Sequence, residues 1–389
     1  MLIYNVKIFT AADKDYERGY IKIQDGKIAE VGEMTADVIP AEGDINAEGL
    51  TAYPGFIDCH THIGAWEDGL GFEGDDGNEM TDPATPNLRA IDMINPLDRC
   101  FDEAAAAGVT SVVSGMGSAN ALGGTFLAMK TAGGKRIDSR IIKQPIAVKF
   151  ALGENPKSVY KDKDCAPITR MATAAIIREQ LHKATRYAED MDAYFESIGS
   201  EDELDRPDYD AKCEALLPLL KKEIPAHIHA HRADDIFTAI RLCKEFGLDY
   251  VIIHATEGHL IAQELAEEGC PVVVGPILSD RSKPELKNHT IENAAVLHKA
   301  GVPLSICTDH PVVPQQYLPL SAALAVRGGL DKTEALRAIT INPAKTAGIA
   351  DRVGSIEVGK DADIVLFDGD PLDVQVTPKI VIIDGIVRK

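Results

Sequence analysis

The chain has 389 residues, 45% of them hydrophobic, and a formal net charge of −21, which suits one large globular unit with a smaller one beside it. A field of that sign repels phosphate backbones and excludes nucleic acid as a partner, and no apolar run is long enough to span a membrane. The seven cysteines show no CxxC and no regular spacing, and the N-terminus lacks the basic and long apolar segments of a signal peptide, so a reducing cytoplasm is expected.

The first fifty residues read as a β-meander. Leu2–Thr10 and Tyr20–Ile23 alternate apolar and polar positions, and Asp25-Gly26 signals a hairpin turn into Lys27–Val31. The C-terminus has the same character, with Ala362–Phe367 followed by a hairpin, Lys379–Val387, around Asp384-Gly385. A composite β unit made from 1–50 and 350–389 is expected. Between them, apolar runs of strand length recur at Ala52–His60, Val109–Ser114, Gly124–Met129, Pro145–Leu152, Ala226–His229, Tyr250–His254, Pro271–Val274 and Val302–Thr308. Helical periodicity separates most of them, at Pro96–Ala107, Ile168–Ile198, Tyr209–Glu223, Ala233–Phe246, Leu260–Glu268, Thr290–Ala300 and Leu318–Gly328. Eight apolar strands alternating with helices predict an α/β fold, a parallel (β/α)8 TIM-like barrel over 51–349. An open doubly wound sheet is the rival, but its glycine-rich phosphate turn is absent, since His60-Thr61-His62 occupies that place.

In such a barrel the chemistry sits at the C-terminal ends of the strands. Metal-capable residues fall there: His60 and His62 close the first strand, His229 and His231 the fifth, His254 the sixth and Asp309 the eighth. Five of the 11 histidines lie at three strand ends. Two histidines one residue apart on a strand face the same way and can grip one ion, and a divalent metal with an open position generates hydroxide at neutral pH. The imidazole-rich set favours zinc, as one or two ions.

Taken together, Pro54–His62, His229–Asp235, His254–His259, Ile306–Pro311 and the closing segment Thr340–Ala344 through Gly359–Ile364 resemble the amidohydrolase superfamily, with a flavour nearest imidazolonepropionase-related and prolidase-like members. The resemblance spans nearly the whole chain. It implies a (β/α)8 barrel with a small β-sandwich domain formed by both termini, and hydrolysis of a C–N bond in an amide or cyclic amide. Dipeptides, N-acyl amino acids and imidazolone-like rings all fit that chemistry. It also implies that His60, His62 and Asp309 bind one metal, that His229 and His254 bind a second, and that Asp309 is the general base. Binuclear members bridge the ions with a lysine carbamate or a glutamate. Lys149, in an otherwise apolar strand, and Glu154 are the two candidates. His231 is the alternative to His229 as ligand, or else a substrate contact. Asp58, Thr308 and His310 would support the site.

Arg232 either meets a substrate carboxylate or pairs with Asp234 or Asp235, and His259 is a further candidate substrate contact. The acidic, glycine-rich loop Glu67–Glu79 would border the pocket mouth as a cation-attracting rim or a solvated lid. The segment Ile168–Pro225 exceeds one barrel helix and reads as two helices around an acidic loop, an extra lobe or a homo-oligomer contact. Deamination of a nucleobase-like ring is the alternative activity. It is disfavoured because Arg232-Ala233-Asp234-Asp235 after the fifth strand holds no glutamate.

Overall fold

A computed structural model describes residues 1–389. It contains two eight-stranded sheets. The first draws on both chain ends: Leu2–Ile8, Tyr16–Gln24, Lys27–Glu33, Ile45–Asn46 and Thr51–Pro54 combine with Ile364–Phe367, Ile380–Ile383 and Ile386–Val387. The two ends meet where Thr51–Pro54 pairs antiparallel with Ile364–Phe367. Alternation along these strands sends Ile3, Ile21, Ile23, Ile28, Ile364 and Ile382 into one apolar cluster. Both Asp-Gly turns take positive φ at each residue, Asp25 (51°) and Gly26 (75°), Asp384 (51°) and Gly385 (73°), as a two-residue hairpin with matching twist requires.

The second sheet is the barrel. Its strands, in chain order, are Phe56–Thr61, Val109–Ser114, Leu122–Lys130, Ile141–Ala151, Ala226–Ala230, Tyr250–His254, Val272–Val274 and Leu304–Ile306. Each pairs with the next. The seam between the eighth and the first is spanned by backbone bonds to the loop that follows, Ile306 N–H to Ala338 O and Ile57 N–H to Ile339 O. The short strands read as continuous buried runs because helices cover their outer side.

All eight expected strands are present, but they are not all parallel. The third is antiparallel to both neighbours. Only residues 115–121 join it to the second strand and 131–140 to the fourth, too few for a crossover helix. The expected run Ala52–His60 is also two strands, one in each sheet, broken at Gly55. A Cβ there would lie 2.1 Å from Thr110 Oγ1, so only glycine lets the chain pass between the sheets. The segment Ile168–Pro225 holds two helices, Arg170–Ser197 and Ala211–Leu220, linked across their faces by Lys183–Asp210 at 2.6 Å.

Two backbone irregularities aim side chains at the barrel mouth. A bulge in the first strand between Asp58 and Thr61 lets His60 turn inward beside Cys59, which packs with Ile57, Phe126 and Cys307 in the barrel interior. Such bulges re-aim side chains next to functional sites. In the sixth strand Val251 and Ile253 belong to that interior cluster and Ile252 to the outer core. Regular alternation would therefore turn His254 outward, but its φ of +74° brings it in.

Candidate metal centre

The rings of His60, His229 and His231 gather around His254, with centroids 5.5, 4.5 and 4.5 Å from it, and His62 lies 5.2 Å from His60. Asp309 completes the group. Its Oδ1 is 3.2 Å from His62 Nε2 and 3.6 Å from His60 Nε2 and has no hydrogen-bond donor of its own. Asp309 also has positive φ, +56°. Strain of this kind at two neighbouring site residues is a mark of function.

Four of the five histidines have Nδ1 engaged, which leaves Nε2 to face the centre. His62 donates to Gly115 O and His254 to Gly275 O, both at 2.7 Å, while His229 meets Ser118 Oγ at 2.9 Å and His231 meets Thr256 Oγ1 at 2.7 Å. Outer partners of this type fix tautomer and ring orientation in metal sites. Burial holds the pKa of His60, His229 and His231 well below the usual value and that of His254 at about 4, so these rings are neutral at physiological pH, the form that ligates metals. Burial raises the Asp309 carboxyl, but His254, His62 and Lys149 outweigh it and its pKa is held below the usual value.

The donor set fits a divalent ion. Bonds of 2.0–2.1 Å in tetrahedral geometry separate donor atoms by about 3.4 Å, close to the spacing of Asp309 from His62 and His60. Two groups of donors lie within 4.8 Å of one another: His60, His254 and Asp309, and His229, His231 and His254.

Lys149 lies beneath the site, fully buried, with Nζ 3.5 Å from His60 Nε2 and over the Phe126 ring. Burial pushes its pKa down to about 8, against the opposing charge of Asp309. Asp58 supports from one side. Its carboxylate accepts from Thr308 N and Oγ1, Gln315 Nε2 and His60 N, which ties the first strand to the residue before Asp309. Burial, opposed by these bonds, pushes its pKa up to about 6.

The other expected residues lie elsewhere. Glu154 opens a helix, and its carboxylate accepts from Glu285 N while its own N–H donates to Glu285 Oε2. It lines a neighbouring cavity that also contains Arg232, not the histidine cleft. Arg232 is held by Asp234 through two bonds of 2.9 Å. His259 sits half-buried in the turn Gly258–Leu260, outside the cleft.

The cleft over the histidines has a volume of about 400 Å³ and is walled by Trp66, Asn78, Asn155, Ser282 and Lys283 among others. Trp66 and Asn78 come from the acidic loop region, so that loop borders the mouth as expected. One residue went unnoticed in the sequence. Glu285, in the loop after the seventh strand, is 1% exposed, with Oε1 3.6 Å from His231 Nε2 and 3.9 Å from His229 Nε2. Its position among many loop acids carried no pattern; the only cue was that loops at this end of a barrel build the site.

The amidohydrolase family pattern matches residues 51–387. The crystal structure of an amidohydrolase from Thermotoga maritima MSB8 is 41% identical, with a TM-score of 0.94 over 100% of this chain and 99% of that one. Amidohydrolase tasK of Hapsidospora irregularis is 32% identical over 95% of this chain, which spans only 39% of tasK. An imidazolonepropionase of Maricaulis maris is 29% identical, covering 92% of this chain and 90% of its own. The chain belongs to the amidohydrolase family. It is a metal-dependent hydrolase of C–N bonds in amides or cyclic amides.

Proposed function

We propose that the protein hydrolyses a small amide or cyclic amide, a dipeptide, N-acyl amino acid or imidazolone-like ring, at a zinc centre whose ligands include His60, His62, His229, His254 and Asp309. The convergence of Asp309 Oδ1 on His60 and His62 at the mouth of a buried cleft carries this reading. A divalent cation bound there acts as a Lewis acid and brings the ionisation of water toward neutral pH. Asp309, ionised and without a hydrogen-bond donor on Oδ1, accepts the proton of the attacking water and returns it to the leaving nitrogen. His231 and Lys283 reach the cleft and can contact substrate. Deamination finds no support after the fifth strand, where Asp234 and Asp235 are occupied by Arg232 and Arg170. The reading includes a cytoplasmic setting, in keeping with the absence of any helix long and apolar enough to cross a membrane. It also divides the chain into a terminal β-sandwich domain, 1–50 with 350–389, and a barrel domain, 51–349.

The test is a screen of zinc-loaded protein against N-acyl amino acids, Xaa-Pro and Xaa-Arg dipeptides and small lactams, with products read by mass. Addition of water across a C–N bond is expected. Ammonia release with oxygen in place of a ring amine would transfer the protein to the deaminases, and less than about half an equivalent of metal, with no activity on metal addition, would refute the reading.

Lys149 is the bridging candidate that lies beside the histidines. Near neutral pH part of it is free amine, which adds CO2 to give a carbamate and one proton. Lys149→Ala is expected to lose activity and regain part of it with added bicarbonate. Full activity without bicarbonate would remove Lys149 from the site.

A further inference from the structure

Apart from the histidines, two charged side chains line the cleft: Asp309, beside His60 and His62, and Lys283, in the loop after the seventh strand. Lys283 is the only lysine or arginine there. Its Nζ donates to Asn155 Oδ1 at 3.1 Å and pairs with Glu285 Oε1 at 2.7 Å. An ammonium has three N–H groups, so these two acceptors leave one to spare, and the side chain remains 31% exposed where it lines the cleft. Both acceptors also tie the lysine to the centre. Glu285 Oε1 is 3.6 Å from His231 Nε2, and Asn155 Nδ2 is 3.5 Å from His229 Nε2. The ammonium is thus held one side chain away from the candidate ligand atoms. An acid behind it, 1% exposed, fixes its direction before any ligand arrives.

The surroundings decide what such a group is for. The net charge of −21 and the acidic loop Glu67–Glu79 at the mouth repel an anion. A carboxylate that enters needs a cation inside the cleft, and Lys283 is the one placed to meet it. We propose that Lys283, oriented by Glu285 and Asn155, pairs with a free carboxylate on the substrate and so determines specificity. This rests on the hydrolase reading and narrows its substrates. N-acyl amino acids, dipeptides and ring amides that carry a carboxylate qualify; neutral amides and plain lactams do not. In the qualifying molecules the carboxylate lies a few bonds from the amide carbonyl, in keeping with an ammonium one side chain from the histidines. Ser282, on the same wall, offers a hydroxyl to the second carboxylate oxygen.

The experiment mixes zinc-loaded protein rapidly with ligand and follows the fluorescence of Trp66, the chain's only tryptophan and a wall of the same cleft. The probes are N-acetyl-L-amino acids with apolar, acidic and basic side chains, each beside its C-terminal carboxamide, which keeps the shape and removes the charge. Turnover of the same pairs gives kcat/KM. Wild type is expected to favour the acids by roughly 10–100-fold, the scale of a charge-assisted hydrogen bond. Lys283→Met should bring that ratio to about one by weakening the acids, and Lys283→Arg should keep part of it. Lys283→Gln, which retains donors for Glu285 and Asn155, takes the place of the methionine variant if thermal unfolding shows that variant unfolded. A lysine that served only to neutralise Glu285 would weaken both members of each pair alike and leave the ratio intact, and that result overturns the proposal. So does a wild type that binds acid and carboxamide equally, which leaves the hydrolase reading standing if either is cleaved. A preference for acids that vanishes with Lys283, without cleavage of any probe, supports the carboxylate site and counts against the hydrolase reading instead.

Discussion

Asp309→Asn is expected to lower kcat by roughly 10²–10⁴-fold, the scale of losing an acid–base group, while zinc remains bound at His60 and His62. The substitution keeps the shape and one oxygen but removes the proton acceptor. Asp309 is suited to the role because Oδ1 has no hydrogen-bond donor and because its position is imposed from behind: the Thr308 N–H and hydroxyl are both held by Asp58. Its pKa is held below the usual value by His254, His62 and Lys149 despite burial. The base works ionised, so the wild-type rate should hold as pH falls to the carboxylate range and decline only when Asp309 takes up a proton. In the variant that acidic limb disappears. Elemental analysis beside kcat against pH checks both parts. Near-normal kcat with metal bound would exclude Asp309 as the base and shift proton transfer to His231 or His310.

The strand ends that carry the site were legible because each is a short apolar run closed by a ligand-type residue, and periodicity alone finds such runs. Lys149 was legible for the same reason, as an ammonium in a strand with Ala147, Val148 and Phe150. The direction of the third strand was not read, although the link 115–121 between two apolar runs was the cue. The inward turn of His254 could not be read at all. Alternation points it outward, and the φ of +74° that reverses it depends on packing against the other histidines. Glu154 and Glu285 show the limit most clearly. Glu154 opens a helix and Glu285 lies in a short turn, both at the barrel mouth, and their exchange of backbone hydrogen bonds leaves the Oε1 of Glu285, not Glu154, facing the histidines. Nothing in local sequence distinguishes them. Arg232 was open between two roles, and its geometry with Asp234 is the ion pair.

Lys130→Met is expected to destabilise the fold by about 3–5 kcal/mol, the cost of removing one partner from a buried ion pair. Lys130 ends the third barrel strand, 2% exposed, and reaches into the terminal sheet, where its Nζ lies 2.6 Å from Asp363, 3.0 Å from Asp361 and 3.2 Å from Asp384. Asp384 is 42% exposed and contributes little, since water screens it. Asp361 and Asp363 are buried; Asp361 keeps Arg352 and Lys27, but no other cation pairs with Asp363. Methionine fills the space of the lysine stem, so the loss measures charge rather than packing. Burial lowers the Lys130 pKa, but the three aspartates outweigh it and raise it above the usual value, so the stability it adds is complete at neutral pH and lost as pH rises through that raised value. Asp363 is already raised by burial against the pull of Lys130. Without that lysine it rises further and is neutralised earlier on acidification. The gap between wild type and variant should therefore narrow as pH falls from 7 toward about 5. Urea unfolding at both pH values measures it. A loss below about 1 kcal/mol at pH 7 would mean that Arg352 and Lys27 suffice for the junction, and a gap that stays the same on acidification would mean that the lysine acts through packing instead of charge.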